Sequence, residues 1–88
     1  MYKTTPGFWE CYQKLPLSIQ KLADRKFNLL KENASHPSLE LEKVGEWWRA
    51  KVSENYRTLA FESEEGLVWF WIGDHDGYMA LIRSKRRR

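Results

Sequence analysis

The sequence predicts an α+β fold: an N-terminal αα-hairpin packed on a small antiparallel β-sheet, closed by a short C-terminal helix. Three observations carry this expectation. Apolar residues recur at helical spacing ahead of the Asn33 to Ser38 loop, and beyond it the period falls to about two. Near the end, Leu67-Val68-Trp69-Phe70-Trp71-Ile72 is apolar without interruption.

Thr5-Pro6 reads as an N-cap followed by a proline at the first helical position, and Phe8, Tyr12 and Leu15 recur behind it at i, i+4 and i+7. Pro16 interrupts that helix and starts a second one. There Ile19, Leu22, Ala23, Phe27 and Leu30 hold one face, while Gln20, Lys21, Asp24, Arg25, Lys31 and Glu32 cover the rest. Leu39 and Leu41 then alternate with Glu40 and Glu42, and Trp48, Ala50 and Val52 alternate with Trp47, Arg49 and Lys51, as strands with one apolar side do. Ser53-Glu54-Asn55 is a turn, Tyr56 to Glu62 another strand, and Glu65-Gly66 a second turn. The apolar run from Leu67 to Ile72 is rich in β-formers and reads as the middle strand of the sheet, covered on both faces. Gly73-Asp74 ends it, and Tyr78, Leu81 and Ile82 permit a short terminal helix with Asp74 as its N-cap.

With 88 residues the chain has room for one domain, spanning 1–88, and its 42% hydrophobic content with five Trp is enough to build a core. The net charge of +3 is unevenly placed. Arg83, Lys85, Arg86, Arg87 and Arg88 form a basic tail, whereas residues 1–82 hold ten Lys/Arg against twelve Asp/Glu. Such a tail suits phosphate contact and equally suits a solvated terminus. A single cysteine, Cys11, forms no internal disulfide, and no apolar run approaches the ~20 residues of a membrane span, so a reducing cytoplasm and no membrane partner are expected.

Five strings stand out in order: Phe8-Trp9 through Leu15-Pro16, His36-Pro37-Ser38-Leu39, Lys43-Val44-Gly45 before Trp47-Trp48, Tyr56-Arg57, and Trp71-Ile72-Gly73-Asp74-His75-Asp76-Gly77-Tyr78. Together they resemble the RelE/ParE superfamily of toxins from type II toxin–antitoxin systems, over about residues 5 to 82. The resemblance implies a cognate antitoxin as partner, in a toxin–antitoxin hetero-oligomer. It also implies one of two targets: ribosome-bound mRNA, cleaved by an endoribonuclease that stops translation, or DNA gyrase, inhibited by binding. A degenerate module that only binds an antitoxin is a third reading. The resemblance implies no cofactor and no metal, and Asp74, His75 and Asp76 are successive residues of one turn that do not converge on an ion.

Metal-free RNA cleavage needs a base for the ribose 2′-hydroxyl, cations for the crowded anionic phosphorane, and an acid for the departing 5′-oxygen. Arg57 stands where the ribonuclease members keep a phosphate-binding arginine, and its planar fork suits a phosphate bidentately. The alternative is a surface arginine paired with Glu40, Glu42 or Glu54. Lys51 joins Arg57 if Ser53-Glu54-Asn55 is a three-residue loop, which sets the two opposite each other; a two-residue loop sets Val52 there instead. His75 is suited to proton transfer near neutral pH and lies in the region from which the resemblance implies an acid–base residue. The same stretch also reads as a turn and helix cap, and its two aspartates disfavour RNA phosphates.

Arg49 is a second cation on the strand of Lys51, or simply part of its solvated side. Trp47 or Trp48 is placed to stack on a nucleotide or an antitoxin. Tyr78 is a candidate to stack on a base or orient a phosphate, though its spacing with Leu81 and Ile82 also suits packing. Arg83 opens the basic tail as a further substrate contact. His36 sits in a loop that could reach the ligand face, and Cys11 reads as a small buried hydrophobe.

Overall fold

A computed structural model describes the backbone of residues 3–86 and the side chains of residues 3–84. Its first helix, α1 (Pro6–Gln13), starts as the sequence predicts, with Thr5 Oγ1 accepting from Phe8 N at 3.1 Å and Pro6 in the first turn. Helix α2 (Leu17–Glu32) begins directly after Pro16. The two are tied together across their junction. The Tyr12 hydroxyl donates to Asp24 Oδ1 at 2.8 Å, and the Gln20 side-chain amide donates to Tyr12 O and Leu15 O at 3.1 and 3.3 Å.

The sheet has five strands: β1 (Lys3–Thr4), β2 (Glu42–Val44), β3 (Trp47–Ser53), β4 (Tyr56–Ser63) and β5 (Gly66–Asp74), ordered β1-β5-β4-β3-β2. Helix α3 (His75–Arg86) follows β5 without a break. Strands β2 to β5 are antiparallel, as expected, but β1 joins β5 in parallel, so the sheet is mixed. Two residues carry too little pattern to announce a strand.

Two further expectations are corrected. The middle strand is β4, because β1 pairs on the far side of β5 and leaves β5 one place from the edge. The chain from Leu39 to Leu41 is also not a strand: Pro37–Leu39 forms a 3-10 turn capped by the His36 side chain, and Glu40 adopts the left-handed conformation at φ 45° before β2 starts at Glu42. At the β2–β3 turn, Gly45 takes φ 64°, where a side chain would be strained.

One face of the sheet meets α1 and α2. Phe8, Leu15, Ala23 and Leu30 of the helical hairpin and its junction pack there on Ala50, Val52, Ala60, Trp69 and Ile72. Leu59 points to the opposite face and is nevertheless fully buried, because α3 packs on β4 and β5 and brings a buried Tyr78. The apolar run of β5 is explained in these terms. Phe70 is an extra residue in the β4–β5 ladder, since Leu59 pairs with Trp71 and Ala60 with Trp69. Apolar side chains therefore serve the helical core on one side, and α3 and an aromatic group on the other.

The Trp71 indole packs over the junction of β5 and α3. A Cβ at Gly73 would lie 2.5 Å from Trp71 Cζ2, and one at Gly77 would lie 3.0 Å from the same atom. Gly73→Ala must push the indole off both glycines. Overpacking of this kind costs roughly 1–3 kcal/mol, or about 5–20 °C in melting midpoint for a domain of this size. A circular dichroism melt checks this, and an unchanged midpoint would mean that the ring relocates freely.

Candidate functional site

The β3–β4 hairpin decides which cations meet. Ser53 pairs with Tyr56, so the turn proper is Glu54-Asn55, yet Lys51 pairs with Arg57 because Val52 is bulged out of the ladder. A two-residue turn thus gives the pairing expected of a longer loop. Ala50, Val52 and Thr58 are buried, with Ala50 and Val52 in the helical core, while Arg49, Lys51 and Arg57 share the opposite face.

That short turn holds three of the residues singled out above. Arg57 Nη1 lies within donating distance of the carbonyls of Ser53 (2.6 Å), Tyr56 (3.0 Å) and Glu54 (3.1 Å). Lys51 Nζ lies 3.3 Å from Glu54 Oε1. The His75 backbone N–H donates to Asn55 O at 2.7 Å, which sets the first residue of α3 against the turn. Its imidazole is exposed, with the ring centroid 6.1 Å from that of Tyr78. Asp74 caps the helix as expected, its Oδ1 accepting from Gly77 N at 2.8 Å.

Carboxylates shadow the cations. Glu40 Oε2 is 3.3 Å from Lys51 Nζ, and Glu42 ion-pairs with Arg49, whose Nη2 also approaches Glu40 O at 3.4 Å. The Nε of Arg49 is buried with no acceptor among the described residues. The acids expected as partners for Arg57 thus serve Lys51 and Arg49, and Arg57 takes turn carbonyls. Hydrogen bonds that Lys51 donates to Glu54 and then Glu40, with the charges of those carboxylates, raise its pKa above the ordinary lysine value. The stabilisation from these contacts is complete below that ordinary value and is lost as pH rises through the raised one. An NMR titration of the Lys51 side chain should show the elevated midpoint, and Glu54→Gln should lower it.

The other predicted residues lie apart from the turn. Tyr78 is 6% exposed, which commits most of its ring to packing. Arg83 is exposed on α3, its Nε 3.4 Å from Met79 O, and α3 carries the chain helically to Arg86. The tail positions Arg87 and Arg88, and the side chains of Lys85 and Arg86, lie outside the described residues. Trp48 packs against the helical core and donates to Glu62 Oε2 at 2.7 Å, whereas Trp47 faces the same side as Arg49. His36 Nδ1 accepts from Ser38 N at 3.2 Å and serves as a cap, and Cys11 is half-buried.

Sequence reasoning overlooked Phe61 and Phe70. Phe61 is 39% exposed and lies opposite Trp47, while the Phe70 ring sits 5.9 Å from Phe61 and 5.1 Å from Trp47. The signal was available for Phe61, because it shares strand parity with Arg57. It was absent for Phe70, whose direction depends on the bulge.

A cavity of about 530 Å³ lies elsewhere, between β1, α1 and α2, lined by Phe8, Trp9, Tyr12, Phe27 and Trp69 among others. It brings together none of the predicted site residues. Among the described residues no cluster of three or more His, Cys, Asp or Glu could hold a metal, and no helix is long and apolar enough to cross a membrane.

No protein-family model matches the chain, and no curated protein is significantly similar to it in sequence. A solved structure does match: the crystal structure of the RelB–RelE antitoxin–toxin complex from Methanococcus jannaschii, with a TM-score of 0.68 over 90% of this chain and 96% of that one. The fold is RelE-like. Sequence identity is 12%, so it is the path of the backbone that is shared. The RelE-like fold extends over nearly the whole chain.

Proposed function

We propose that this chain is the toxin of a type II toxin–antitoxin system and that it cleaves ribosome-bound mRNA without a metal. The observation that carries this reading is the gathering of Lys51, Arg57 and His75 about one turn of a RelE-like fold. In the proposed step the ribose 2′-hydroxyl loses its proton to solvent water as its oxygen bonds to phosphorus, the bond from phosphorus to the 5′-oxygen breaks, and a 2′,3′-cyclic phosphate remains. Arg57, held by the turn carbonyls, presents its guanidinium to the anionic phosphorane, Lys51 adds a second charge, and His75 protonates the leaving oxygen. Arg49, Trp47, Tyr78 and Arg83 are the proposed substrate contacts. The cognate antitoxin is the expected partner, covering apolar surface such as Trp9 and Leu17, which are 46% and 66% exposed. The cytoplasm, where ribosomes are, is the expected compartment.

One observation favours a second reading. Each cation of the group is already engaged, Arg49 and Lys51 by carboxylates and Arg57 by carbonyls, which suits a protein that inhibits DNA gyrase by binding or one that only binds its antitoxin. Expression of the chain alone in a bacterial host separates the readings, with Arg57→Ala and His75→Ala alongside. New mRNA ends inside translated regions that vanish in both variants support the ribonuclease. Gyrase-dependent DNA breaks with intact messages replace it with gyrase inhibition, and normal growth at normal expression leaves the antitoxin-binding module.

A further inference from the structure

We infer that Phe61, supported by Phe70 and Trp47, is a stacking platform for one unpaired nucleobase of a single-stranded RNA. The inference rests on the RNA reading above and adds a recognition site to it. Phe61 keeps 39% of its surface exposed, and among the described residues the large hydrophobic side chains that are more exposed, Trp9 and Leu17, lie on the helices of the other face. Its ring is backed at 37° by Phe70, which Trp47 meets at 61°. A strand-borne aromatic with aromatic backing is rigid, so little side-chain entropy is lost when a base settles on it.

The occupant is indicated by what shares the face. Trp47, Arg49 and Lys51 follow one another at every second position of β3, opposite Phe61, Leu59 and Arg57 of β4. With Leu59 covered by α3, the path between the two ends runs along Trp47, Arg49 and Lys51 of β3, and an aromatic site at one end with a cationic pair at the other is the arrangement that single-stranded nucleic acid takes, bases on rings and phosphates on cations. Phe61 is four residues from Arg57, roughly 13 Å along the strand at about 3.3 Å per residue. A base on Phe61 therefore belongs to a nucleotide flanking the phosphate at Arg57, and the platform sets which flanking position is gripped.

The carboxylates sharpen the expectation. Because Glu40, Glu42 and Glu54 already neutralise Lys51 and Arg49, a phosphate displaces protein carboxylates as well as counterions. Stacking then carries a larger share of affinity, and the salt dependence is shallower than three free cations would give.

Fluorescence anisotropy with a labelled single-stranded RNA octamer tests this on the full chain. Phe61→Ala and Phe61→Leu should weaken binding about 5- to 100-fold, the range for loss of one stacked base, and Phe61→Trp should keep it. An octamer with abasic positions should bind the parent protein as weakly as the intact octamer binds Phe61→Ala. Affinity unmoved by Phe61→Leu, in a protein whose binding still falls with Arg57→Ala, overturns the platform and leaves the RNA reading standing; a face that docks a peptide would give this result. No RNA binding by the parent protein, with or without ribosomes, overturns both.

Discussion

Trp69→Ala is expected to leave little folded protein at 37 °C. The indole is fully buried and meets Phe27 edge-on at 5.5 Å, and Phe27 in turn meets Phe8 at 5.4 Å, so one side chain links β5 to both N-terminal helices. Its backbone carbonyl also accepts from Thr5 N at 3.0 Å, at the start of α1. Truncating such a residue costs roughly 3–5 kcal/mol, transfer and cavity together, against about 5–15 kcal/mol for a whole domain. The melting midpoint should fall by about 15 °C or more in a chain this short. Trp69→Phe is the informative companion. It keeps most ring contacts and removes an indole N–H that finds no acceptor among the described residues, a burial worth roughly 1–3 kcal/mol. Its net cost should stay below about 1.5 kcal/mol. Equal losses in the two variants would show that the N–H is bonded after all.

On the proposed mechanism, Arg57→Lys should lower cleavage of mRNA on programmed ribosomes about 100-fold or more, the size of effect seen when one preorganised donor to a transition state is lost. Lysine keeps the charge but has neither the fork for bidentate phosphate contact nor the geometry to span the turn carbonyls. Single-turnover rates should fall with little change in RNA affinity, because the contact is strongest in the phosphorane. Arg57→Ala should add a loss of about 1–2 kcal/mol in stability by uncapping the turn. Cleavage at the parental rate in Arg57→Lys would reduce this arginine to a turn cap and remove the centre of the proposed mechanism.

What was legible in the sequence was whatever local chemistry determines. The Thr5-Pro6 cap, the stop at Pro16, the alternation through Trp48, Ala50 and Val52, and the Asp74 cap all follow from a few neighbouring residues, and all are present. What stayed hidden depends on cross-strand register. An apolar run such as Leu67 to Ile72 fits a doubly covered middle strand, but it fits as well a strand next to the edge with a bulge at Phe70. The Lys51–Arg57 pair was foreseen only as one of two outcomes, since a bulge at Val52 leaves no mark in composition. Glu40 in a left-handed turn shows the same limit: alternating Leu and Glu promised a strand, and the His36 cap with Pro37 redirected the chain.

The Glu54-Asn55 turn has a consequence for how the proposed site is kept together. Lys51, Arg57 and the first residue of α3 all take their positions from it, so the proposed site is only as persistent as that turn. Hairpin tips open locally at far lower free energy than the sheet beneath them. One such opening disperses Arg57, Lys51 and His75 together while the Trp69 core stays intact. The fraction of molecules in which the proposed site is assembled is therefore a property of two residues, and any molecule that grips or pries apart this turn shifts the equilibrium by as much as its affinity differs between the two states.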